Sequence, residues 1–440
     1  MTEEELKNTL MNLDKNHFIH PTSSLKQQHE TGAPFIFTEG KGVYLTDITG
    51  RKVLEGMASL WNVNVGYGRK ELAEAAREQM EKLAYSNSFS SMSNEPAIRL
   101  AAKLAEITPG NLSVVFYTSG GSEANDTAYK LARYFWKING LPQKKKIIAR
   151  QKAYHGVNIG ATSATGISPF HQMTDSPAPD FLHVDNFSAQ ALRECIEREG
   201  ADTIAAYIAE PVQGAGGVNI APDGYFQEIR KICDDFNVLF IADEVITGFG
   251  RTGKMFGCDH YNVVPDMMLV AKGITSGYIP LGAVIVTDTI HKQLVEKSEG
   301  VLLHGYTYSG HPTSCAVALK NLEIIENENL IENARLMGEE LLKGLKKLQP
   351  ETKIVGEVRG LGLIGAVEII DPATNRRFPS PIAPLIGIEA AKRGLIVRTV
   401  VFEGMDTIVF SPPLVINKQE MNELVSILKD SILEVEKSCK

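Results

Sequence analysis

The chain has 440 residues, 43% of them hydrophobic and 22% charged, with a formal net charge of -8. That length supports a large core and two domains, and the mild acidic excess gives no electrostatic reason to expect nucleic acid as a partner. Apolar runs stay well short of the roughly 18 residues that span a bilayer, so no membrane partner is expected, and the acidic opening MTEEELKNTLMNLDKN lacks the basic start and apolar centre of a signal peptide.

Residues 1–65 carry no periodicity that assigns them to either domain. SVVFYT (113–118) has strand character, and the segment after it sets Ala124, Ala128, Leu131 and Phe135 on one helical stripe. Further strands are expected at KIIAR (146–150), IAAYIAE (204–210), VLFIADEV (238–245), DMMLVAK (266–272) and LGAVIV (281–286). Helical patterns such as AQALRECIEREG and YFQEIRKICDDFN separate several of them. Strands apolar throughout, alternating with helices, predict an α/β fold with a mostly parallel sheet covered on both faces. The last 120 residues read differently, as a smaller α+β domain. Helices near 312–328 and 330–348 lead to short strands in IVGEVRGLGLIGAVEII, a helix near 382–393, the strands LIVRTVV and TIVFSPP, and a final helix.

Cys195, Cys233, Cys258, Cys315 and Cys439 are far apart and form no Cys-x-x-Cys pair. Neither a zinc site nor a disulfide framework is indicated, and a reducing cytoplasm is the expected setting.

Open α/β sheets bind ligands at the carboxyl ends of their strands, and several polar residues stand at such ends. Glu210 closes IAAYIA, Asp243 and Glu244 close VLFIA, and Lys272 closes MMLVA. Thr118-Ser119-Gly120-Gly121-Ser122 closes SVVFY and opens a helix. Its glycines and free N–H groups could cradle a phosphate, or Ser122 could serve as an ordinary helix cap. Gly248-Phe249-Gly250-Arg251-Thr252-Gly253 fits G-x-G-x-x-G, but the following KMFGCDHYNVVPD has no helical stripe, so a structured loop is expected rather than a dinucleotide fingerprint.

Asp243 and Lys272 taken alone could be a structural ion pair. They also match what pyridoxal phosphate chemistry requires: a lysine for the Schiff base and an acid to keep the pyridine nitrogen protonated. Tyr154, in Tyr154-His155-Gly156 after the IIAR strand, could stack on such a ring, or fill a half-buried core position.

The motifs SLWNVNVGYG, TSGGSEAND, AYHG, AEPVQG, IADEVITGFGRTGKMFG, AKGITSGYIPLGAV and HGYTYSGHP together resemble the class III (ω-) aminotransferases, pyridoxal phosphate enzymes of fold type I. The resemblance runs from HFIHPTSS (17–24) to TIVFSPPLVI (407–416). It implies Lys272 as the Schiff-base lysine and Asp243 as the pyridinium partner. Tyr154 and Val245 would lie on the two faces of the ring, with His155 and Glu210 beside the cofactor. Gly121 and Ser122 would hold the phosphate, joined by Thr307 from the neighbouring subunit of a homodimer. The implied large domain covers 66–320, and the small one combines 1–65 with 321–440. Transamination by ping-pong kinetics is the implied activity.

Within the family, SLWNVNVGYG resembles the subgroup that passes amino groups from ω-amino acids or amines to pyruvate, with Trp61 as a pocket wall. Arg398 stands where several members bind a substrate carboxylate, a role its bidentate fork suits; a merely structural arginine is the alternative. Members that use α-ketoglutarate carry an arginine just before S/A-P-P-L, where this chain has Val409, so Glu210 loses its usual partner. The near rival is the biotin-pathway enzyme that makes 7,8-diaminononanoate with S-adenosylmethionine. That enzyme usually shows Trp-Trp where this chain has Leu60-Trp61, and an acid where it has Val157. A site built for a polar group rejects its absence strongly, which favours the pyruvate subgroup.

Overall fold

A computed structural model describes residues 3–438, and Cys439 lies outside the described residues. Seven strands form the central sheet: β1 (Leu112–Thr118), β2 (Lys146–Arg150), β3 (Phe181–Val184), β4 (Ile204–Ala209), β5 (Leu239–Asp243), β6 (Met267–Val270) and β7 (Gly282–Thr287). Their spatial order is β1-β7-β6-β5-β4-β2-β3. Neighbours from β6 across to β3 pair in parallel, and β7 runs antiparallel to both β6 and β1.

Successive residues of these strands enter different cores. Ile147, Ala149, Leu239, Ile241, Met267 and Leu269 pack with Ala124, Ala128, Leu131 and Phe135 of helix α1 (Gly121–Ile138). Their neighbours Ile148, Phe240 and Ala242 pack instead with the helices Ala189–Glu199 and Tyr225–Asp235. Side chains alternate across a strand, so with both faces covered every position must be apolar. That is why these strands read as continuous runs rather than alternating ones. Three runs end earlier than predicted, β4 by one residue, at Ala209. β5 stops at Asp243, and β6 stops at Val270 because Lys272 adopts φ +47° and starts a 3₁₀ turn. The strand β3 carries no strand periodicity, because FLHV is short, only half-buried over most of its length and at the sheet edge.

The chain ends assemble beside this sheet. Strands Phe37–Lys41, Tyr44–Asp47 and Lys52–Glu55 form an antiparallel set whose last member pairs in parallel with Leu395–Ile396. A second four-stranded sheet joins Val355–Gly360, Gly365–Ile369, Thr407–Phe410 and Arg398–Val400. The helices Pro312–Asn327, Leu330–Glu351, Ala383–Lys392 and Lys418–Glu436 fall close to their predicted positions. Asn417 and Glu420 cap the last of them reciprocally, satisfying two backbone donors that a helix start leaves open. No helix of the described residues is long and apolar enough to cross a membrane. The four described cysteines are buried and free.

The G-x-G-x-x-G segment is a loop, as its neighbours predict: Phe249, Gly250 and Gly253 take positive φ, and the next ordered element is a short 3₁₀ turn, Gly257–His260. Arg251 from this loop is fully buried. It donates to the carbonyls of Leu363 and Pro412 and to Asn64 Oδ1, tying the loop to both ends of the chain.

Candidate active site

Because β4, β5 and β6 are adjacent and parallel, the residues leaving their carboxyl ends meet. Glu210, Asp243 and Lys272 line one cleft of about 330 Å³. The β1–α1 junction contributes Ser119, Gly120, Gly121, Ser122 and Asn125, and the loop after β2 adds Tyr154, His155 and Gly156. Val245, Ile246, Thr275 and Leu281 are among the apolar and hydroxyl-bearing residues of its wall, and Asn62 joins them from the N-terminal segment.

Three donors converge on the Asp243 carboxylate. Oδ2 accepts from Asn125 Nδ2 at 3.1 Å and from His155 Nδ1 at 2.8 Å, and Oδ1 accepts from the Val245 N–H at 3.1 Å. His155 is buried, and its Nε2 has no protein partner. Asn125 is itself oriented by Tyr129, whose hydroxyl donates to its Oδ1 at 2.8 Å. Burial lowers the pKa of Lys272 from the usual lysine range, while the Asp243 and Glu210 charges oppose that shift. Lys272 therefore loses its proton more readily than an exposed lysine does.

The start of α1 suits an anion. A Cβ at Gly120 would meet nothing within 4 Å, so backbone there faces open space. Glu123, the acid of the first turn, folds back onto the Ser119 N–H at 2.7 Å. Ser122 Oγ accepts from the Val157 N–H at 3.0 Å, fixing the loop after Tyr154 against the helix start. Gly156 permits that contact: its φ is +120°, and a Cβ there would lie 2.3 Å from Ser122 Oγ.

Glu210 is buried, and among the described residues no lysine or arginine side chain pairs with its carboxylate. Oε1 accepts from the Tyr154 N–H at 3.0 Å and Oε2 from the Gly214 N–H at 3.3 Å. Burial pushes its pKa from 4.5 up to about 7. Between those values the folded chain holds a proton that the unfolded chain has released, so stability falls as pH rises through that window. Glu210→Gln is expected to flatten this slope, worth roughly 3 kcal/mol in full. Melting temperatures of the cofactor-free protein from pH 4.5 to 7 check it, and parallel curves for the two proteins would disprove it.

Trp61 and Arg398 stand together at 4.8 Å from guanidinium carbon to ring centroid, and the Arg398 charge adds to the lowering of the Lys272 pKa. Trp61 is 3% exposed, and its indole N–H has no partner. The segment holding it is strained, with positive φ at Ala58, Ser59 and Trp61. The Glu55 carboxylate restrains it by accepting from the Met57 and Ser59 N–H groups. Val409 is fully buried and lies directly across the strand pair from Arg398. Thr307 does not reach the cleft of its own chain; it is exposed, and its carbonyl accepts from the Tyr85 hydroxyl.

Sequence reasoning missed Asn125, Asn62 and Thr275 of the cleft wall. Asn125 carried a usable signal, since it lies four residues after Gly121 and so on the same helix face.

A putrescine–pyruvate aminotransferase of Pseudomonas aeruginosa is 40% identical over 436 residues, covering 95% of this chain and 94% of that one. Among solved structures, a transaminase from the marine bacterium Virgibacillus superposes with a TM-score of 0.97 at 53% identity, over 98% of this chain and 100% of that one. An omega transaminase from Pseudomonas jessenii, solved in complex with PMP, gives a TM-score of 0.94 at 37% identity over 98% of each chain. With the model for "Aminotransferase class-III" matching residues 25–432, the chain belongs to the class III aminotransferases, a family that works with pyridoxal 5'-phosphate.

Proposed function

We propose that the cleft binds pyridoxal 5'-phosphate and transfers an amino group from an amine or ω-amino acid to a keto acid, with pyruvate as the acceptor. The observation that carries this reading is the convergence of Glu210, Asp243 and Lys272 from three adjacent strands onto one cleft beside an open helix start. When bound, the cofactor supplies an aldehyde that takes up amines and a ring that accepts electron density. Gly121 and Ser122 would hold its phosphate, Tyr154 and Val245 its two faces, and Asp243 its ring nitrogen, with His155 and Asn125 keeping that carboxylate in place. Lys272 Nζ, made easier to deprotonate by burial, takes the proton from the amine-bearing carbon of the donor. The same amine would hand that proton on to the cofactor within this half-reaction, so that the carbonyl product can leave and the amino group stay behind, and with the keto acid it would move a proton in the opposite direction.

In this reading residues 66–320 are the cofactor-binding domain, and 1–65 with 321–440 form the smaller one. The parallel pairing of Leu54 with Leu395 supports that grouping of the two ends. The active unit is a homodimer in which Thr307 reaches the partner's phosphate site; its exposure on its own chain is consistent with that role.

Two features favour pyruvate over a dicarboxylic acceptor. Glu210 has no arginine to release, and the residue across the strand pair from Arg398 is a valine, Val409. The P. aeruginosa relative is named for putrescine and pyruvate, which favours this reading over the biotin-pathway one. The test is a half-reaction screen with putrescine, β-alanine, 4-aminobutyrate, taurine, an aromatic amine and S-adenosylmethionine, following the absorbance of the bound cofactor. A response to S-adenosylmethionine alone would sink the assignment.

Arg398→Leu is expected to raise KM for pyruvate about 10- to 100-fold, the loss of a charge-assisted pair with the acceptor carboxylate. The half-reaction with putrescine, which has no carboxylate, should change little. Equal losses with both substrates would show that Arg398 only shapes the pocket.

A further inference from the structure

The turn carrying Lys272 holds two residues in a region that side chains with a Cβ rarely enter: φ is +47° at Lys272 and +50° at Ser276. Such conformations persist only where the surroundings over-determine them. Asn321, fully buried on the helix Pro312–Asn327, supplies much of that determination. Its Nδ2 donates to the carbonyls of Gly273 at 2.9 Å and Ile274 at 3.0 Å, the two residues that follow Lys272. Its Oδ1 accepts from the Ser276 hydroxyl at 2.7 Å. One side chain thus closes three contacts around a five-residue turn.

The same turn is tied to the segment that holds Trp61. Ser276 Oγ accepts from the Val65 N–H at 3.2 Å. Gly273 lies against Asn64, and a Cβ there would sit 2.6 Å from Asn64 Nδ2. Asn64 in turn donates to the Phe249 carbonyl at 3.0 Å and accepts from Arg251. A buried amide with every hydrogen-bonding group used leaves little freedom to the backbone it grips.

We infer that Asn321, with Ser276 as its partner, is a positioning residue that keeps the backbone of Lys272 left-handed and its amine directed at the cofactor aldehyde. The inference rests on the proposed role of Lys272. Attachment is balanced without redox chemistry: the Nζ lone pair adds to the aldehyde carbon, a C–N bond forms, and one water leaves.

The test follows that attachment in cofactor-free protein mixed with pyridoxal 5'-phosphate, trapped by borohydride at timed intervals and read by peptide mass spectrometry. Asn321→Leu should slow attachment about tenfold, and Ser276→Ala about threefold, the scale on which supporting contacts control a reacting group. In a Lys272→Ala background, which binds the cofactor only non-covalently, Asn321→Leu should leave its Kd within about twofold. Attachment at the wild-type rate in both variants would overturn the inference. So would a parallel loss of non-covalent affinity, which marks a purely structural role. Should Asn321→Leu fail to fold, the Ser276→Ala rate decides. Wild-type protein that is not labelled at Lys272 would instead remove the catalytic reading and this inference with it.

Discussion

Lys272→Ala is expected to lower turnover by at least about 10²–10⁴-fold, the contribution of a positioned proton-transfer group. Loss of covalent attachment should deepen the defect. The fold should survive, because Lys272 follows β6 rather than belonging to it, and burial works against its charge. Replacing a strained, desolvated active-site residue is often neutral or stabilising. The decisive pair of measurements is donor turnover and thermal unfolding of the cofactor-free protein. A variant that melts as wild type does yet keeps near-normal turnover would remove Lys272 from the chemistry.

Asp243→Asn should separate charge from shape. The amide keeps the volume of the carboxylate but neither its charge nor its capacity to accept from Asn125, His155 and Val245 together. Loss of a preorganised charge at a reacting centre costs about 10²–10³-fold in kcat. The expected result is a fall of that size in kcat with a smaller change in donor KM. Asp243→Ala should add a stability loss of about 1–3 kcal/mol per stranded donor, visible as earlier melting without cofactor. If Asp243→Asn turned over normally, the carboxylate would be no more than the anchor of a buried hydrogen-bond cluster.

These two variants also probe different parts of the site. Lys272 is held from behind by Asn321 and Ser276, whereas Asp243 is held by α1 and the loop after β2. The supports differ, but the Asp243 charge acts on Lys272 across the cleft, so the double variant should depart from simple additivity in stability.

Much of this was legible along the chain. Apolar runs identified six of the seven central strands. In the interior ones, buried on both faces, almost no polar position breaks the run, and β1, partly exposed at the other sheet edge, was marked by its β-branched and aromatic run VVFY. The same runs marked Glu210, Asp243 and Lys272 as polar residues at strand ends, where an α/β sheet opens onto its ligand. The edge strand β3 gave no such signal, since partial exposure dilutes its pattern.

What the chain alone determined, then, is the α/β class, the strand ends that carry chemistry and the motifs that mark the family, all of which depend on local pattern. The pairing of His155 with Asp243 across 88 residues, and the grip of Asn321 on the turn of Lys272, were decided only by the tertiary structure. Each depends on which strands and helices become neighbours, and a hydrogen bond between distant segments leaves no periodicity in either of them. Lys272 shows the division most clearly. Its place after an apolar run is written in the sequence, but its left-handed backbone is imposed by groups that lie some fifty residues downstream and two hundred upstream.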